Sequence, residues 1–139
     1  MPSRCSWACR SPPAGKGSRR WSGAPAVTRV IVGQPDFLKA LARILAKHHG
    51  FTCTVVFGVD ADGFIEAGSS RVSGLEALEK ADLFVISARF LNLPDDQMAH
   101  VVAYLDRGGP VVGLRTSSHA FKIPGGSKFA KYDFKSKAA

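Results

Sequence analysis

The chain has 139 residues, 45% of them hydrophobic, and a formal net charge of +8 at pH 7. This length suits one domain with an ordinary core, and no stretch approaches the ~18 consecutive apolar residues of a membrane span. The first 29 residues carry six basic and no acidic side chains. Residues 30–121 carry eight basic and ten acidic side chains, and residues 122–139 carry five basic and one acidic. Because the basic excess lies at the two ends and no recognition motif accompanies it, we expect no specific nucleic-acid partner.

The N-terminal residues 1–26 consist mainly of Ser, Pro, Gly, Ala and Arg and show neither helical nor strand periodicity. Such a composition buries too little apolar surface to repay the entropy of ordering. We therefore predict a disordered basic leader. It lacks the continuous apolar core of a secretory signal, so the expected location is the cytoplasm, unless the true start lies elsewhere.

Three cysteines, Cys5, Cys9 and Cys53, give an odd count without a second metal-ligating cluster. We expect no disulfide scaffold, no metal site and no cofactor. Cys53 lies in an alternating apolar run, which predicts a buried core thiol. The run DADG at residues 60–63 lacks the third acidic position of a calcium loop, so a turn is the preferred interpretation.

Strands and helices alternate from residue 27 onward. Apolar runs rich in β-branched residues predict four strands, AVTRVIVG, FTCTVVF, DLFVISA and PVVGL. Helical spacing predicts a helix from Pro35 to Gly50, a short one over GLEALEKA with a capping box at Ser73 and Glu76, and a third from Pro94 to the glycine pair at 108–109. This alternation predicts an open α/β sheet of about four parallel strands with helices on both faces.

The C-terminal residues 122–139 contain two glycines, five lysines and scattered aromatics without a clear period. We predict an α/β domain over residues 27–121, followed by a basic tail that begins a missing C-terminal part. In such a truncated sheet, the fourth strand is exposed as an edge.

Ligands of open parallel sheets bind beyond the carboxyl ends of the strands. Polar and charged residues follow three of the predicted strands, and the binding residues predicted from this position are Asp60, Arg89, Arg115, Thr116, Ser117 and His119. A helix beginning near Ser117 would add unpaired backbone amides suited to an anion. The alternative is purely structural: the hydroxyls cap a helix, and the arginines pair with Asp60 or with helix-end carbonyls.

Three stretches of the chain resemble the trehalose-utilisation (ThuA-like) family of the class I glutamine amidotransferase-like superfamily. They are LARILAKHHGFTCTVVFGVD, the long run from GLEALEKADLFVISARFLNLPDDQM to GLRTSSHAF, and KFAKYDFKSK. The resemblance covers residues 30 to about 137 and implies a flavodoxin-like sheet, a sugar-like or anionic ligand and a link to carbohydrate utilisation. The first 26 residues take no part in it, and the loop GQPD after the first strand is shorter than in the family.

The resemblance also implies that this chain lacks the catalytic residues of class I glutamine amidotransferases. Catalytic class I amidotransferases place a cysteine nucleophile at the elbow after the fourth strand, where this sequence has Arg115 behind Gly113 and Leu114. An always-protonated guanidinium cannot act as a nucleophile. The downstream His and Glu of the family have no counterpart before Ala139, so glutamine hydrolysis is not expected.

Two other functions remain open at this stage. In one, Ser117 or Ser118 is a nucleophile and His119 its base, although no acidic orienting residue is evident. In the other, the chain is a non-catalytic structural or interaction domain, and the exposed edge strand pairs with a second copy.

Overall fold

The computed structural model describes residues 28–33 and 35–137, so the predicted leader, Cys5 and Cys9 lie outside the described residues. The longer elements are β1 (Thr28–Gly33), α1 (Pro35–His49), β2 (Thr52–Val56), β3 (Leu83–Ser87), α2 (Asp95–Asp106) and β4 (Val111–Gly113). Short 3₁₀ helices span Leu75–Lys80, Ser117–His119 and Ala130–Tyr132. All four predicted strands and both long helices are present. None of the helices in this part of the chain is long and apolar enough to span a membrane.

The strands form one parallel sheet in the order β2-β1-β3-β4, which confirms the predicted α/β class. β1 is central, and its Ile31 pairs with Val55 of β2 and with Val85 of β3. β4 lies at an edge, as expected for the last strand, and its Val111 and Val112 are 42% and 43% exposed.

Hydrophobic clusters cover both faces of this sheet. Successive residues of a strand face opposite sides, and in β3 Phe84 and Ile86 join one cluster while Val85 joins the other. The first cluster includes Leu78 of the first 3₁₀ helix and Met98 of α2. The second consists mainly of α1 and β2 residues and contains Cys53, which is buried as predicted. The helices thus lie on both faces.

The short helix over Leu75–Lys80 differs from its prediction. It is a 3₁₀ helix, and its N-cap is Gly74 with a φ of 96° and no capping side chain, so the predicted capping box of Ser73 and Glu76 is wrong. A left-handed backbone at Gly74 turns the chain sharply, and glycine tolerates it at low cost. A Cβ at Gly74 would also lie 3.0 Å from Cγ1 of Val56 in β2.

Residues 122–137 pack on the domain. Ile123 is 9% exposed and belongs to the first cluster, against which Phe129 and Tyr132 also pack. The Asp133 carboxylate accepts hydrogen bonds from the N–H groups of Ile123 (2.8 Å) and Lys135 (2.9 Å). Packing therefore continues past residue 121, where the sequence predicted the domain to end.

Candidate functional site

The carboxyl ends of β3 and β4 lie side by side. Ile86 pairs with Gly113, so the chain leaves both strands at the same level. Arg89 follows β3 by two residues and Arg115 follows β4 by two, as the sequence predicted for neighbouring strand exits. The strand order reverses between β1 and β3, and this is where ligands bind in sheets of this kind. The β3 exit thus borders the reversal point.

Both strand exits hold a strained backbone. Phe90 has a φ of 58° and Arg115 a φ of 56°, and these are the two non-glycine residues with positive φ in the described chain. Such a conformation costs on the order of 1–3 kcal/mol and persists where the surrounding structure enforces it, often at functional sites. Two strained residues at adjacent exits mark this edge as a candidate site.

Backbone hydrogen bonds connect three segments at this edge. The N–H of Phe90 donates to the carbonyl of His119 (2.8 Å), and the N–H of Lys122 donates to the carbonyl of Leu91 (2.9 Å). On the other side, the N–H of Phe134 donates to the carbonyl of Phe121 (3.1 Å). The chain around residues 119–122 therefore lies between the β3 exit and the C-terminal segment.

An aromatic cluster forms on this connected backbone. The ring centroid of Phe90 lies 6.1 Å from that of His119 and 5.1 Å from that of Phe134, and the last two are 5.3 Å apart. The Arg89 guanidinium carbon lies 4.5 Å from the Phe90 ring centroid. The cluster unites residues from three remote segments and places a cation on its surface.

Ser118 and His119 are in direct contact. Ser118 Oγ lies 2.9 Å from His119 Nδ1, and both side chains are exposed. This is hydrogen-bond distance for a hydroxyl and an imidazole. No carboxylate of the described residues contacts the ring, so the pair lacks an acidic orienting group.

The hydroxyl of Ser117 is hydrogen-bonded to backbone groups at the ends of two strands. Its Oγ lies 2.8 Å from the carbonyl oxygen of Ile86 and 2.6 Å from that of Leu114, and it accepts the N–H of Ala88 at 3.3 Å. This hydroxyl therefore joins the ends of β3 and β4. Thr116 is exposed at the N-cap of the following 3₁₀ helix and makes no capping hydrogen bond there.

We predict that Ser117→Ala lowers the free energy of unfolding by about 1–2 kcal/mol, because partly buried backbone groups at both strand ends lose a partner. Ser118→Ala is the matched control. Within the described residues, its hydroxyl forms a hydrogen-bond contact with the exposed His119 ring and with no backbone group, so we expect a change within about 0.5 kcal/mol. Urea denaturation of both variants measures the difference, and equal losses would contradict the structural assignment of Ser117.

Arg115 carries an exposed guanidinium. Within the described chain, no carboxylate, carbonyl or ring pairs with it, so the structural alternative, pairing with Asp60 or with helix-end carbonyls, is not observed for Arg115. The helix after β4 is a 3₁₀ helix of three residues, and the predicted cluster of unpaired helix amides is therefore not formed. An anion at this exit would have to be bound by side chains.

Asp60 lies in the loop after β2 and organises a turn there. It follows β2, which is at the opposite edge of the sheet from β4. Three strand spacings, about 14 Å in total, separate β2 from β4. Its Oδ1 accepts the N–H groups of Asp62 (3.0 Å) and Phe64 (2.9 Å). The carboxylate thus organises the turn that the sequence indicated at residues 60–63. No cluster of metal-ligating side chains occurs in the described residues.

An apolar cavity of about 210 Å³ opens beside the site. Its walls come from the sheet, α2 and the C-terminal segment, with Phe84, Leu105, Val111, Phe121 and Phe134 among them. Ser117 and Ser118 contribute to the same wall. With this lining the cavity suits apolar groups rather than an anion.

We call Arg89, Phe90, Arg115, Ser118 and His119 the carboxyl-edge site. Sequence reasoning identified all of them except Phe90, and it also missed Phe134, whose ring completes the cluster. Phe90 follows Arg89 directly and could have been found from its position after a buried strand. Phe134 could not, because no periodic pattern connects it to β3 or β4. Comparison of the chain with protein-family models, curated proteins and solved structures returns no match.

Proposed function

We propose that this chain is a ThuA-like domain with a flavodoxin-like sheet that binds a sugar-like, anionic small molecule at the carboxyl-edge site. Its role would be in carbohydrate utilisation, without glutamine amidotransferase activity. The strand order β2-β1-β3-β4 agrees with the first four strands of the flavodoxin-like order 2-1-3-4-5. This agreement supports the fold implied by the sequence resemblance.

The observation that carries the proposal is the backbone of Arg115. Nucleophile elbows hold their residue on a sharp, strained turn between a strand and a helix. Arg115 has a φ of 56° between β4 and the 3₁₀ helix Ser117–His119. An elbow that keeps its strained geometry but presents a cation is suited to binding rather than to nucleophilic attack.

The chemistry of the site fits a phosphorylated or carboxylated sugar. A guanidinium binds such anions through paired, charge-assisted hydrogen bonds, and the Arg115 guanidinium is exposed without a competing partner among the described residues. The Phe90 ring, 38% exposed, offers an apolar surface for the C–H face of a sugar. Ser118 and Thr116 offer hydroxyls nearby in sequence.

Calorimetric titration with trehalose 6-phosphate, trehalose and inorganic phosphate tests this proposal. We expect the sugar phosphate to bind most tightly, and Arg115→Ala to weaken its binding by about ten- to a hundredfold, which is the value of a charge-assisted hydrogen-bond pair. Arg43→Ala, in α1, is the matched control and should leave the affinity unchanged. Equal affinity of Arg115→Ala and the unchanged protein would refute the role of Arg115.

Relief of backbone strain provides a second readout of the same elbow. Arg115→Gly should raise the free energy of unfolding by about 1 kcal/mol relative to Arg115→Ala, since glycine accepts a positive φ without strain. Both variants should lose ligand affinity. Chemical denaturation compares them, and a glycine variant that is no more stable than the alanine variant would contradict a strained elbow.

One observation favours a second candidate, a serine hydrolase. The 2.9 Å contact between Ser118 Oγ and His119 Nδ1 is the distance at which an imidazole can accept the proton of a nucleophilic hydroxyl. The absence of an orienting carboxylate in the described chain makes it the weaker candidate. Labelling of the protein by a fluorophosphonate, abolished in Ser118→Ala, would establish it.

A third candidate is an interaction domain that associates through β4. The exposure of Val111 and Val112 and the position of β4 at the edge favour pairing with another strand. A concentration-dependent molar mass in sedimentation equilibrium, lost on replacing Val112 with lysine, would establish a homo-oligomer.

A further inference from the structure

The C-terminal segment concentrates positive charge on the folded domain. Residues 122–137 carry five lysines and a single acidic residue, Asp133. The carboxylate of Asp133 accepts the N–H groups of Lys135 and Ile123, and these hydrogen bonds hold its pKa below the usual range. Among the five lysines, Lys128 pairs with Asp95 at 3.6 Å.

The remaining lysines of the segment are exposed, and none of them forms a salt bridge with a carboxylate of the described chain, although the charge of Lys135 acts on nearby Asp133. Lys131 Nζ lies 4.9 Å from the centroid of Tyr132, and Lys135 Nζ lies 5.5 Å from that of Phe134. We call this surface the lysine face, and its members are Lys122, Lys131, Lys135 and Lys137 with the rings of Tyr132 and Phe134.

Packing fixes the position of this face. Ile123 is buried and Phe121 lines the apolar cavity. In an extended segment alternate residues face opposite sides, so Lys122 between them faces outward, as its exposure confirms. The hydrogen bond from Phe134 N–H to the Phe121 carbonyl places Lys135 beside the same segment. The lysine face thus adjoins the aromatic cluster of Phe90, His119 and Phe134.

We infer that the lysine face binds single-stranded nucleic acid without sequence preference, with phosphates on the lysines and bases against the aromatic cluster. This surface shares Phe90 and His119 with the carboxyl-edge site, but the inference does not involve Arg115. Positively charged surfaces with accessible rings bind single strands in this way, because every base can stack on an aromatic side chain. A basic surface held by packing also needs no ordering on binding, unlike a disordered basic tail.

Single strands fit these observations better than two other polyanions. A duplex hides the faces of its bases, so the rings would contribute nothing to its binding. A bilayer surface would require whole aromatic side chains that insert among the lipids. Tyr132 and Phe134 line the apolar cavity and are only partly exposed, which allows contact with a base at the surface but not insertion. Binding through four lysines predicts a shallow salt dependence, with a slope of about −3 in log K against log salt.

Fluorescence anisotropy of the full chain with a labelled oligothymidylate tests the inference. The double variant Lys131→Ala/Lys135→Ala should bind at least fivefold more weakly than the unchanged protein. The control Arg43→Ala/Lys47→Ala removes the same charge from exposed positions of α1 and should change the affinity less than twofold. Equal losses in both pairs would mean that only net charge matters and would overturn the inference.

The aromatic contribution has its own test. Phe134→Leu keeps an apolar side chain in the cavity wall but removes the ring, and it should weaken oligothymidylate binding at least threefold while leaving heparin binding unchanged. Heparin or duplex DNA bound as tightly as the single strand, or anionic vesicles bound in its place, would overturn the inference. A negative result here would leave the sugar-phosphate titration unaffected, because that titration depends on Arg115.

Discussion

Replacing Gly109 with alanine is expected to lower the free energy of unfolding by about 3 kcal/mol, the upper part of the range for overpacking a core. A Cβ at Gly109 would lie 2.3 Å from Cζ and 2.4 Å from Cε1 of Tyr104. That ring is 1% exposed, its hydroxyl donates to the Pro110 carbonyl at 2.8 Å, and it meets Phe84 edge-on. Because the ring is held on all sides, it cannot move away from the added methyl group.

Two comparisons isolate this clash. Gly126→Ala places its Cβ in open space and should change the stability by less than about 0.5 kcal/mol. In a Tyr104→Leu background, the clashing ring atoms are gone and the additional cost of Gly109→Ala should fall by at least half, which a double-mutant cycle measures. A full additional cost in that background would show that Tyr104 is not the obstacle.

Arg107→Ala is expected to cost about 2–3 kcal/mol, the range for lost hydrogen bonds to a charged donor. The guanidinium donates to the carbonyls of Leu78 and Glu79 at 2.8 Å each, and to that of Ala81. These carbonyls belong to the end of the first 3₁₀ helix. The guanidinium carbon also lies 4.7 Å from the Tyr104 ring centroid, so one side chain joins α2 to the chain entering β3.

Arg107→Lys separates charge from geometry. A lysine keeps the charge but not the fork of donors, so we expect it to recover less than half of the lost stability. Thermal unfolding followed by circular dichroism checks both variants. Arg107→Lys as stable as the unchanged protein would contradict the proposed role of the three hydrogen bonds.

Both positions are connected to the candidate site along the chain. Gly109 and Arg107 lie in the connection between α2 and β4, and β4 leads to Arg115. Loosening this connection should release the strained turn that presents the guanidinium. We therefore expect either variant to weaken ligand binding, although neither residue belongs to the carboxyl-edge site.

The main elements could be predicted because their signals are local. β3 is a continuous apolar run and is buried on both faces. α2 begins at Asp95, directly after its N-cap Pro94, and has two aspartates in its first turn. The start of the first 3₁₀ helix was harder to predict from the sequence. The spacing of Ser73 and Glu76 suggested a capping box, but the N-cap is Gly74 with a left-handed backbone. The close approach of Gly74 to Val56 depends on how the chain folds, so the spacing of residues along the sequence cannot reveal it.

The candidate site could be predicted only in part. Position after a strand identified Arg89, Arg115 and His119, but the same rule selected Asp60, because the sequence does not give the order of strands in the sheet. The order β2-β1-β3-β4 puts β2, the strand that precedes Asp60, at the opposite edge of the sheet from β4. The contribution of Phe134 depends on long-range contacts of a segment without periodicity, which pattern reasoning cannot detect.

The most direct test of the account is a titration of the ¹⁵N-labelled chain with trehalose 6-phosphate, followed by amide chemical shifts. We predict that the largest shifts occur at Arg89, Phe90, Arg115, Ser118 and His119, and that they disappear in Arg115→Ala while its spectrum remains that of a folded protein. Shifts centred on the loop after β2, or saturation that is unchanged in Arg115→Ala, would contradict it.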